Sequence, residues 1–343
     1  MALYEPGLGY YTSDRVVLGR EGDYLTSPEV TPVFGSMLGR QLREMWEALD
    51  RPSPLDLVEA GAGSGAMARD VLSWARRTAP DMFQALKYTV IEISEPLRAR
   101  QRTRLEAEGL AAKARWLDEL PTDITGVIFS NELLDAMPVH RVTVEDGELR
   151  EVFVTWNGER LSEESRDPPP DIVAHFDGIS VRPAEGCRAE VNLEALDWTR
   201  GAARSLERGF VITIDYGYEA EELYAPWRTD GTLLCFYRHN PSNDPYVRIG
   251  RQDMTSHIDL TSARRAGEAK GLVTLGLVTQ SEFLANLGIG EAMQQPEGAD
   301  LEEYFTRRRA VTELLDPGGL GRIRVLIQAK EVGDIRLASL RDN

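Results

Sequence analysis

The stretch Glu59-Ala60-Gly61-Ala62-Gly63-Ser64-Gly65 decides the fold, because it joins an apolar run to a helical pattern. Residues 55–60 are apolar enough to form a buried strand, and a helix is predicted from about Ala66 to Thr78. Glycines in such a turn let the backbone bend tightly and approach a ligand where a Cβ would collide. The turn also presents the positive amino end of the following helix. This arrangement is typical of the ligand-binding crevice of an α/β domain.

The glycine spacing does not by itself identify the ligand. Gly61, Gly63 and Ala66 satisfy G-x-G-x-x-A, which also occurs in dinucleotide-binding proteins. Glu59 favours a cation, since a carboxylate beside a pyrophosphate would place two anions in one crevice of low dielectric constant. S-adenosylmethionine carries both an ammonium and a sulfonium group, and we predict it as the cofactor. A nicotinamide-dependent oxidoreductase is the alternative. The predicted contacts in this turn are Glu59, Gly61, Gly63 and Gly65.

Two acidic residues follow the next strands. Glu92 ends the strand predicted at 88–93, where its side chain can hydrogen-bond a ribose hydroxyl in either cofactor. Asp118 follows a weaker strand predicted at 115–117, and its oxygen could accept from an adenine amino group. A simply solvated loop carboxylate is the alternative for Asp118. We predict both residues as cofactor contacts.

A segment before the glycine turn is predicted to fold over the cofactor as a lid. It consists of Thr26, Ser27, Pro28 and Glu29, which precede a helix predicted at 33–49. Thr26, Ser27 and Pro28 are predicted to contact the cofactor. The alternative is structural, because Thr26 or Ser27 could instead cap that helix through its side-chain oxygen.

Short apolar runs alternate with helical patterns after residue 55, which predicts βα units and a parallel, Rossmann-like α/β sheet. The order then changes: a hairpin is predicted at Asp146-Gly147, and the charged, proline-rich residues 162–171 are predicted to form an exposed loop. The predicted segments are an N-terminal extension or lid (1–50), a core with a hairpin and loop insertion near 145–172 (51–215), an insertion for substrate or partner (216–258), and C-terminal helices and strands that complete the sheet (259–343).

Composition narrows the class of partner. The 343 residues include 39 Lys and Arg against 56 Asp and Glu, a formal net charge of -17 that opposes binding to nucleic acid or anionic membranes. A basic protein partner fits this charge, although solubility alone also explains it. The only cysteines, Cys187 and Cys235, lack metal-ligand spacing, so we predict no metal site. With no apolar run near the roughly 20 residues of a membrane span and no secretory signal in residues 1–20, we predict a cytoplasmic location.

Several motifs, in this order, resemble the MidA-type family. They are residues 22–29 (GDYLTSPE), the glycine turn, 90–94 (VIEIS), 131–140 (NELLDAMPVH), 214–217 (IDYG), 255–259 (TSHID) and 279–284 (TQSEFL). The resemblance extends from residue 10 to about residue 288. Two departures are Ala62, where family members often carry proline, and Leu133-Leu134, where they carry aromatic residues.

The resemblance implies a class I methyltransferase fold, with an N-terminal helical extension and a large C-terminal insertion, and S-adenosylmethionine as cofactor. For the mitochondrial family member that assembles respiratory complex I, it implies symmetric dimethylation of a protein arginine. A protein substrate with a target arginine is therefore expected. The alternative is a non-enzymatic assembly factor that keeps the cofactor pocket, and methylation of a small molecule is also open.

Asn131, Glu132 and Asp135 are predicted as the catalytic group, because they follow a strand predicted at 126–130 and face the crevice of the sheet. A guanidinium stays protonated at neutral pH, and carboxylates grip its planar edge. We expect Glu132 and Asp135, three apart on one helical turn, to orient the cation while Asn131 hydrogen-bonds the reacting region. The alternative is that Asn131 caps a short helix whose first turn carries the two acids.

Four more residues are predicted on the substrate side. Asp215 and Tyr216 end a strand that faces the same crevice, although a turn function suits them equally. His257 and Asp259 form an HxD pair, for which a helix cap at Asp259 is the structural alternative.

Overall fold

The computed structural model describes residues 1–13, 19, 22–295 and 300–341. The strands of the described chain are β1 (Leu55–Ala60), β2 (Leu86–Ile91), β3 (Ala114–Leu117), β4 (Ile124–Asn131), β5 (His140–Glu145), β6 (Glu148–Trp156), β7 (Leu161–Arg166), β8 (Arg188–Val191), β9 (Leu206–Asp215), β10 (Gly217–Tyr218), β11 (Leu234–Tyr237), β12 (Asn240–Ser242), β13 (Asp253–Thr255), β14 (Ile258–Asp259), β15 (Val273–Thr279) and β16 (Arg324–Lys330).

The helices of the described chain are α1 (Ser27–Val30), α2 (Pro32–Ala48), α3 (Ala66–Thr78), α4 (Pro80–Ala85), α5 (Glu95–Ala107), α6 (Pro170–Ile179), α7 (Leu193–Ser205), α8 (Ala220–Leu223), α9 (Leu260–Glu268), α10 (Gln280–Asn286) and α11 (Leu301–Leu315). Short 3-10 turns lie at Ala111–Lys113, Ile289–Met293, Leu320–Arg322 and Ala338–Leu340. Across the described residues, none of the helices has the length and apolarity that a membrane span requires.

A seven-stranded sheet forms the centre of the fold, in the order β15-β16-β9-β4-β1-β2-β3. Strands β3, β2, β1, β4 and β9 are parallel, whereas β16 is antiparallel to both of its neighbours. Successive residues of β1 face opposite layers: Leu57 packs in the cluster that holds α2 and α3, and Val58 packs with Ala202 of α7. The predicted α/β, Rossmann-like fold is therefore confirmed.

The C-terminal strands β15 and β16 belong to the central sheet, where β16 pairs with β9 along its whole length. Residues on both sides of position 215 thus contribute to one sheet. The central sheet continues across the predicted boundary at residue 215. The division of the chain into four segments stays a prediction.

Thr31, and neither Thr26 nor Ser27, caps the long N-terminal helix α2. The Thr31 side chain accepts a hydrogen bond from the backbone amide of Val33. Ser27 instead begins the separate short helix α1, and Thr26 precedes it without a side-chain cap. The predicted capping of the helix by Thr26 or Ser27 is wrong, because Thr31, directly before Pro32, already supplies the oxygen that the free amide needs.

A second sheet, in the order β7-β6-β5-β8, contains the predicted hairpin, which turns at Asp146-Gly147. The exposed loop predicted at 162–171 is wrong, since β7 pairs with β6 and α6 begins at Pro170. The run of polar residues in β7 suits its position at the edge of the sheet, where charged side chains are common. Proline is tolerated in the first turn of a helix, where its missing N–H is not needed.

Candidate active site

Four of the predicted site residues lie at one edge of the central sheet. Glu59 is the second-last residue of β1, and Glu92 follows β2. Asn131 ends β4, and Asp215 ends β9. Because these strands are parallel, their carboxyl ends meet at the same edge, where α/β sheets bind ligands. The sequence pattern therefore placed these side chains together correctly.

A cavity of about 510 Å³ opens at this edge, and we call it the donor cavity. Its polar and glycine lining consists of Tyr4, Tyr11, Gly19, Tyr24, Thr26, Glu29, Glu59, Gly61, Gly63, Ser64, Glu92, Asp118, Asn131, Glu132 and Glu194. Six of the lining side chains are carboxylates, and none of the lining residues in the described chain is lysine, arginine or histidine. A diphosphate would be repelled by this lining, whereas a cationic ligand would be attracted.

The glycine turn allows the backbone to line the donor cavity closely. Gly61 and Gly63 have φ angles of 66° and 52°, in the left-handed region that favours glycine. A Cβ on Gly61 would lie 2.6 Å from Cδ1 of Leu133, in the loop after β4. Gly65 lies behind the turn, facing Gln101, and serves as the residue from which α3 begins.

Glu59 and Glu92 are buried carboxyl groups held in fixed positions at the donor cavity. Oε2 of Glu59 accepts a hydrogen bond of 2.6 Å from the Tyr88 hydroxyl. Burial raises the pKa of Glu59 to about 7, opposed by the Tyr88 hydrogen bond and assisted by the negative charge of Glu92. Glu92 accepts from the backbone amide of Ser94 and from Nε2 of Gln101, and burial likewise raises its pKa. Binding of a cation would favour the ionised form of both groups.

Asp118 lies at the open rim of the donor cavity. Its carboxylate is paired with the guanidinium of Arg98, and 78% of its side chain is exposed. Ile93, 64% exposed, lines the same rim and offers an apolar surface on which a ring could stack. The rim thus combines a hydrogen-bond acceptor with an apolar contact, as an adenine would need.

The predicted lid, residues 26–29, covers the donor cavity only in part. Thr26 and Pro28 line the cavity, but Ser27 is fully buried and its hydroxyl donates to Oε1 of Gln280. Glu29, the last residue of the predicted lid, lines the cavity and accepts hydrogen bonds from Ser64 of the glycine turn and from Arg104. Its contact with the glycine turn was not predicted from the sequence.

A second cavity of about 550 Å³, the acceptor cavity, adjoins the first. The two cavities share Tyr11, Tyr24 and Glu132 as lining residues. The remaining polar and aromatic lining consists of Asp23, Asp135, Arg141, Arg188, Tyr216, Asp230, Thr232, Phe236, His239, Asn243, Asp253, Thr255, His257 and Arg322. A group in one cavity can therefore reach a group in the other past the Glu132 side chain.

Asn131, Glu132 and Asp135 lie where the cavities meet, but they do not form a helix. Glu132 directly follows β4 with a φ angle of 49°, so the expected helical turn is wrong. The reason is Asp215, whose Oδ2 accepts from the backbone amides of Leu133 and Leu134 at 3.2 and 2.8 Å and holds the loop as a turn. Nδ2 of Asn131 donates to Oε1 of Glu132, and its buried Oδ1 has no partner among the described residues.

The acids around the acceptor cavity have raised pKa values. Exclusion of water raises the pKa of Glu132 to about 8, and burial raises the pKa of Asp253 to about 7. Burial, followed by repulsion from Asp215 and Glu132, raises the pKa of Asp135 well above its usual value. Sequence reasoning missed Asp253, which lies in the insertion outside the recognised motifs. Its Oδ1 accepts a hydrogen bond from the Tyr11 hydroxyl at 2.8 Å. A cation in this cavity would relieve the repulsion among these acids.

Of the four residues predicted on the substrate side, two line the acceptor cavity and two do not. Tyr216 and His257 line the acceptor cavity and stack on each other, with ring centroids 6.0 Å apart. Asp215 lies behind the loop that it holds. Asp259 caps α9 by accepting from the backbone amide of Ser262, and it faces His175 rather than either cavity. Asp259 therefore caps a helix, which was the structural alternative to a substrate contact.

Comparisons with known proteins agree with this geometry. Residues 37–278 match a family model described as "Putative S-adenosyl-L-methionine-dependent methyltransferase". The protein arginine methyltransferase NDUFAF7 homolog, mitochondrial, of Drosophila melanogaster is 30% identical over 93% of this chain and 77% of its own length. The human protein arginine methyltransferase NDUFAF7, mitochondrial, is 27% identical over 84% of this chain and 68% of its own length.

A solved structure of a Burkholderia thailandensis protein bound to S-adenosyl-homocysteine is also similar. It has a TM-score of 0.89 and 31% identity, covering 98% of this chain and 87% of that one. One prediction must be corrected: the cytoplasmic location is wrong, because the curated relatives are mitochondrial.

The cofactor is S-adenosylmethionine, since the family, the ligand of the similar structure and the carboxylate-lined donor cavity agree. The nicotinamide-dependent alternative does not fit a cavity without a basic residue among those described. The chain belongs to the MidA-type family of S-adenosylmethionine-dependent methyltransferases.

Proposed function

We propose that this methyltransferase modifies a guanidinium nitrogen of an arginine in a protein substrate. The observation that carries the proposal is the position of Glu132, which lines both the donor and the acceptor cavity. Asp135 and Asp253 line the acceptor cavity beside it. Three carboxyl groups at the inner part of a cavity suit a cation better than any neutral or anionic acceptor.

The residues would act chiefly by positioning. S-adenosylmethionine supplies, when bound, an electrophilic methyl group on its sulfonium. Glu132 and Asp135 would hold the guanidinium edge, and the unpartnered Oδ1 of Asn131 would accept one N–H. Transfer leaves the guanidinium with one proton too many, and the Glu132 carboxylate is placed to accept it. Burial raises the pKa of Glu132 to about 8 without substrate, so the group is largely protonated at pH 7. A bound guanidinium would favour the ionised carboxylate, which can then accept the proton.

The names of the curated relatives support arginine in a protein as the acceptor, since they are protein arginine methyltransferases. We extend the proposal to symmetric dimethylation and to a substrate of the respiratory-complex type, as the family resemblance implies. The acceptor cavity also has an open mouth lined by exposed residues such as Asp230 and His239, which suits entry of a side chain from a larger partner.

The test is a labelling experiment. Purified protein is incubated with [methyl-³H]S-adenosylmethionine and an extract of cells that lack the gene, and the labelled proteins are hydrolysed for amino-acid analysis. We expect label in methylarginine, with symmetric dimethylarginine as the final product. Label confined to lysine, histidine or small molecules would overturn the arginine assignment, and asymmetric dimethylarginine would overturn only the product assignment.

A competition arm tests the demand for a cation. Acetyl-Ala-Arg-Ala-amide should compete with the extract for labelling, whereas the peptide with citrulline in place of arginine, which has the same shape without charge, should not. Equal competition by the two peptides would show that the carboxyl groups do not select charge. The variant Asp197→Asn, an exposed acid on α7 outside both cavities, should behave like the natural chain.

A further inference from the structure

Five side chains form a row of ring and guanidinium contacts, in the order Arg322, Tyr216, His257, Tyr218 and Arg228. The first three of them line the acceptor cavity. The rings of Tyr216 and His257 are nearly parallel, and the His257 ring lies 5.1 Å from the Tyr218 ring. The guanidinium of Arg322 lies over the Tyr216 ring at 5.6 Å from its centroid, and that of Arg228 lies over the Tyr218 ring at 4.6 Å. Each arginine is thus held by an aromatic face at one end of the row.

Arg322 differs from the other two arginines of the acceptor cavity. Arg141 and Arg188 both donate to the carboxylate of Glu163, at 2.6 and 2.7 Å. Within the residues that the structure describes, Arg322 has no hydrogen bond or ion pair with a carboxylate; its contact is with the ring of Tyr216. Stacking covers one face of a guanidinium but leaves the N–H groups in its plane free to donate.

The position of Arg322 is fixed by the central sheet. The 3-10 turn Leu320–Arg322 precedes β16, whose first residue, Arg324, pairs with Asp215 at the end of β9. Arg322 therefore lies just beyond the edge where the site residues meet. Burial and then the negative charges of Glu132 and Asp135 raise the pKa of the Tyr216 phenol, and the positive charge of Arg322 opposes that rise, so charges of both signs act on this ring.

The acceptor cavity is thus bipolar. Glu132, Asp135 and Asp253 line it, and so does Arg322, a cation that has no carboxylate partner among the residues the structure describes. His257 adds no charge, because burial and the nearby Arg322 and Arg228 lower its pKa to about 4 and keep the ring neutral. A ligand with only a positive group would leave Arg322 unused.

We propose that Arg322 binds a carboxylate that the substrate carries next to its methyl-accepting arginine. This inference rests on the proposed function, since it assumes that the target guanidinium occupies the carboxyl-lined part. The carboxylate would come from an acidic side chain adjacent in sequence or from the C-terminus of the polypeptide. Arg322 is therefore a specificity-determining residue that binds substrate without taking part in the chemistry.

The experiment measures binding of four arginine peptides, with acetyl-Ala-citrulline-Ala-amide as the uncharged control, to the full chain loaded with S-adenosylhomocysteine, by NMR titration at low salt. The reference is acetyl-Ala-Arg-Ala-amide. Acetyl-Asp-Arg-Ala-amide and acetyl-Ala-Arg-Asp-amide carry an acidic neighbour on either side, and acetyl-Ala-Arg with a free carboxyl end carries a terminal carboxylate. We expect at least one anionic peptide to bind about tenfold more tightly than the reference, the scale of one charge-assisted contact. The peptide that gains identifies the source of the carboxylate.

Two variants separate a contact from a general charge effect. In Arg322→Gln, the anionic peptide should bind no more than about twofold more tightly than the reference peptide. Affinity for the reference peptide should be unchanged, which also shows that the variant is folded. Arg309→Gln, an exposed arginine on α11 outside both cavities, should keep the full preference. A preference retained in Arg322→Gln would overturn the inference.

The outcomes also distinguish this inference from the proposed function. If all four peptides bind the natural chain equally and the citrulline peptide does not, the arginine assignment stands and the role of Arg322 falls. If the arginine peptides bind no better than the citrulline peptide, both fall.

Discussion

The backbone amide of Ser27 donates a 3.1 Å hydrogen bond to Oε1 of Glu132, which lies 105 positions later in the chain. The same oxygen accepts from Nδ2 of Asn131 at 3.0 Å. Glu132 therefore connects the segment that covers the donor cavity with the loop that lines the acceptor cavity. The charge of Glu132 should therefore affect binding of a cation in the acceptor cavity, while its hydrogen bonds position the segment that covers the donor cavity.

Glu132→Gln separates these two roles, because the glutamine oxygen can accept both hydrogen bonds while the negative charge is lost. We expect turnover to fall at least about tenfold, the scale of one lost charge-assisted contact. Affinity for S-adenosylhomocysteine, measured by calorimetry, should change less than about threefold. Asp197→Asn serves as the control for a lost surface charge. A normal turnover in Glu132→Gln would remove this residue from the mechanism.

The sequence predicted the central sheet and the donor side of the site well, because both depend on local patterns. Continuous apolar runs mark β1, β4 and β9, and each run is followed by residues that must lie at the same edge of a parallel sheet. The glycine turn needs left-handed φ angles that only its own residues determine. The positions of Glu59, Glu92 and Asn131 at the ends of predicted strands were therefore enough to predict that these residues lie close together.

The acceptor side could not be predicted to the same extent, because it depends on contacts between distant segments. Asp253 reaches the site on β13, and its carboxylate accepts a hydrogen bond from the Tyr11 hydroxyl, 242 positions away. The loop after β4 has residues that would suit a helix, but the carboxylate of Asp215 binds its amides and imposes a turn. Tertiary contacts such as these override local propensity.

Tyr88→Phe tests the support of Glu59. The substitution removes the 2.6 Å hydrogen bond to Oε2 of Glu59 and leaves a buried acceptor without a partner, which should lower the free energy of unfolding by about 1–3 kcal/mol. The hydrogen bond also lowers the pKa of Glu59, so its loss should raise that pKa above about 7 and favour the neutral form at pH 7. Affinity for S-adenosylmethionine should then fall more at pH 7 than at pH 9. An equal loss at both values would show that the ionisation of Glu59 does not matter.

Asp253→Asn should stabilise the cofactor-free protein at high pH. The folded protein holds the Asp253 proton up to about pH 7, against an ordinary value of 3.8. The resulting stabilisation is complete below about pH 4 and is lost as the pH rises through 7. Asparagine cannot ionise, so the variant should melt at least about 2 °C higher than the natural chain at pH 8 and nearly equally at pH 4. Asp197→Asn should show no such pH-dependent difference; a melting temperature lower at pH 8 than at pH 4 relative to the natural chain would contradict the argument.

Gly61→Ala tests whether close packing between the glycine turn and the acceptor loop is required. Both Gly61 and Gly109 have left-handed φ angles, 66° and 63°, so alanine strains the backbone equally at the two positions. A Cβ at Gly61 would lie 2.6 Å from Leu133, whereas one at Gly109 meets nothing within 4 Å. We therefore expect Gly61→Ala to weaken S-adenosylhomocysteine binding at least about tenfold in calorimetry, while Gly109→Ala binds normally, because only the first displaces the loop that carries Glu132. Equal affinities would mean that Leu133 yields without moving that loop.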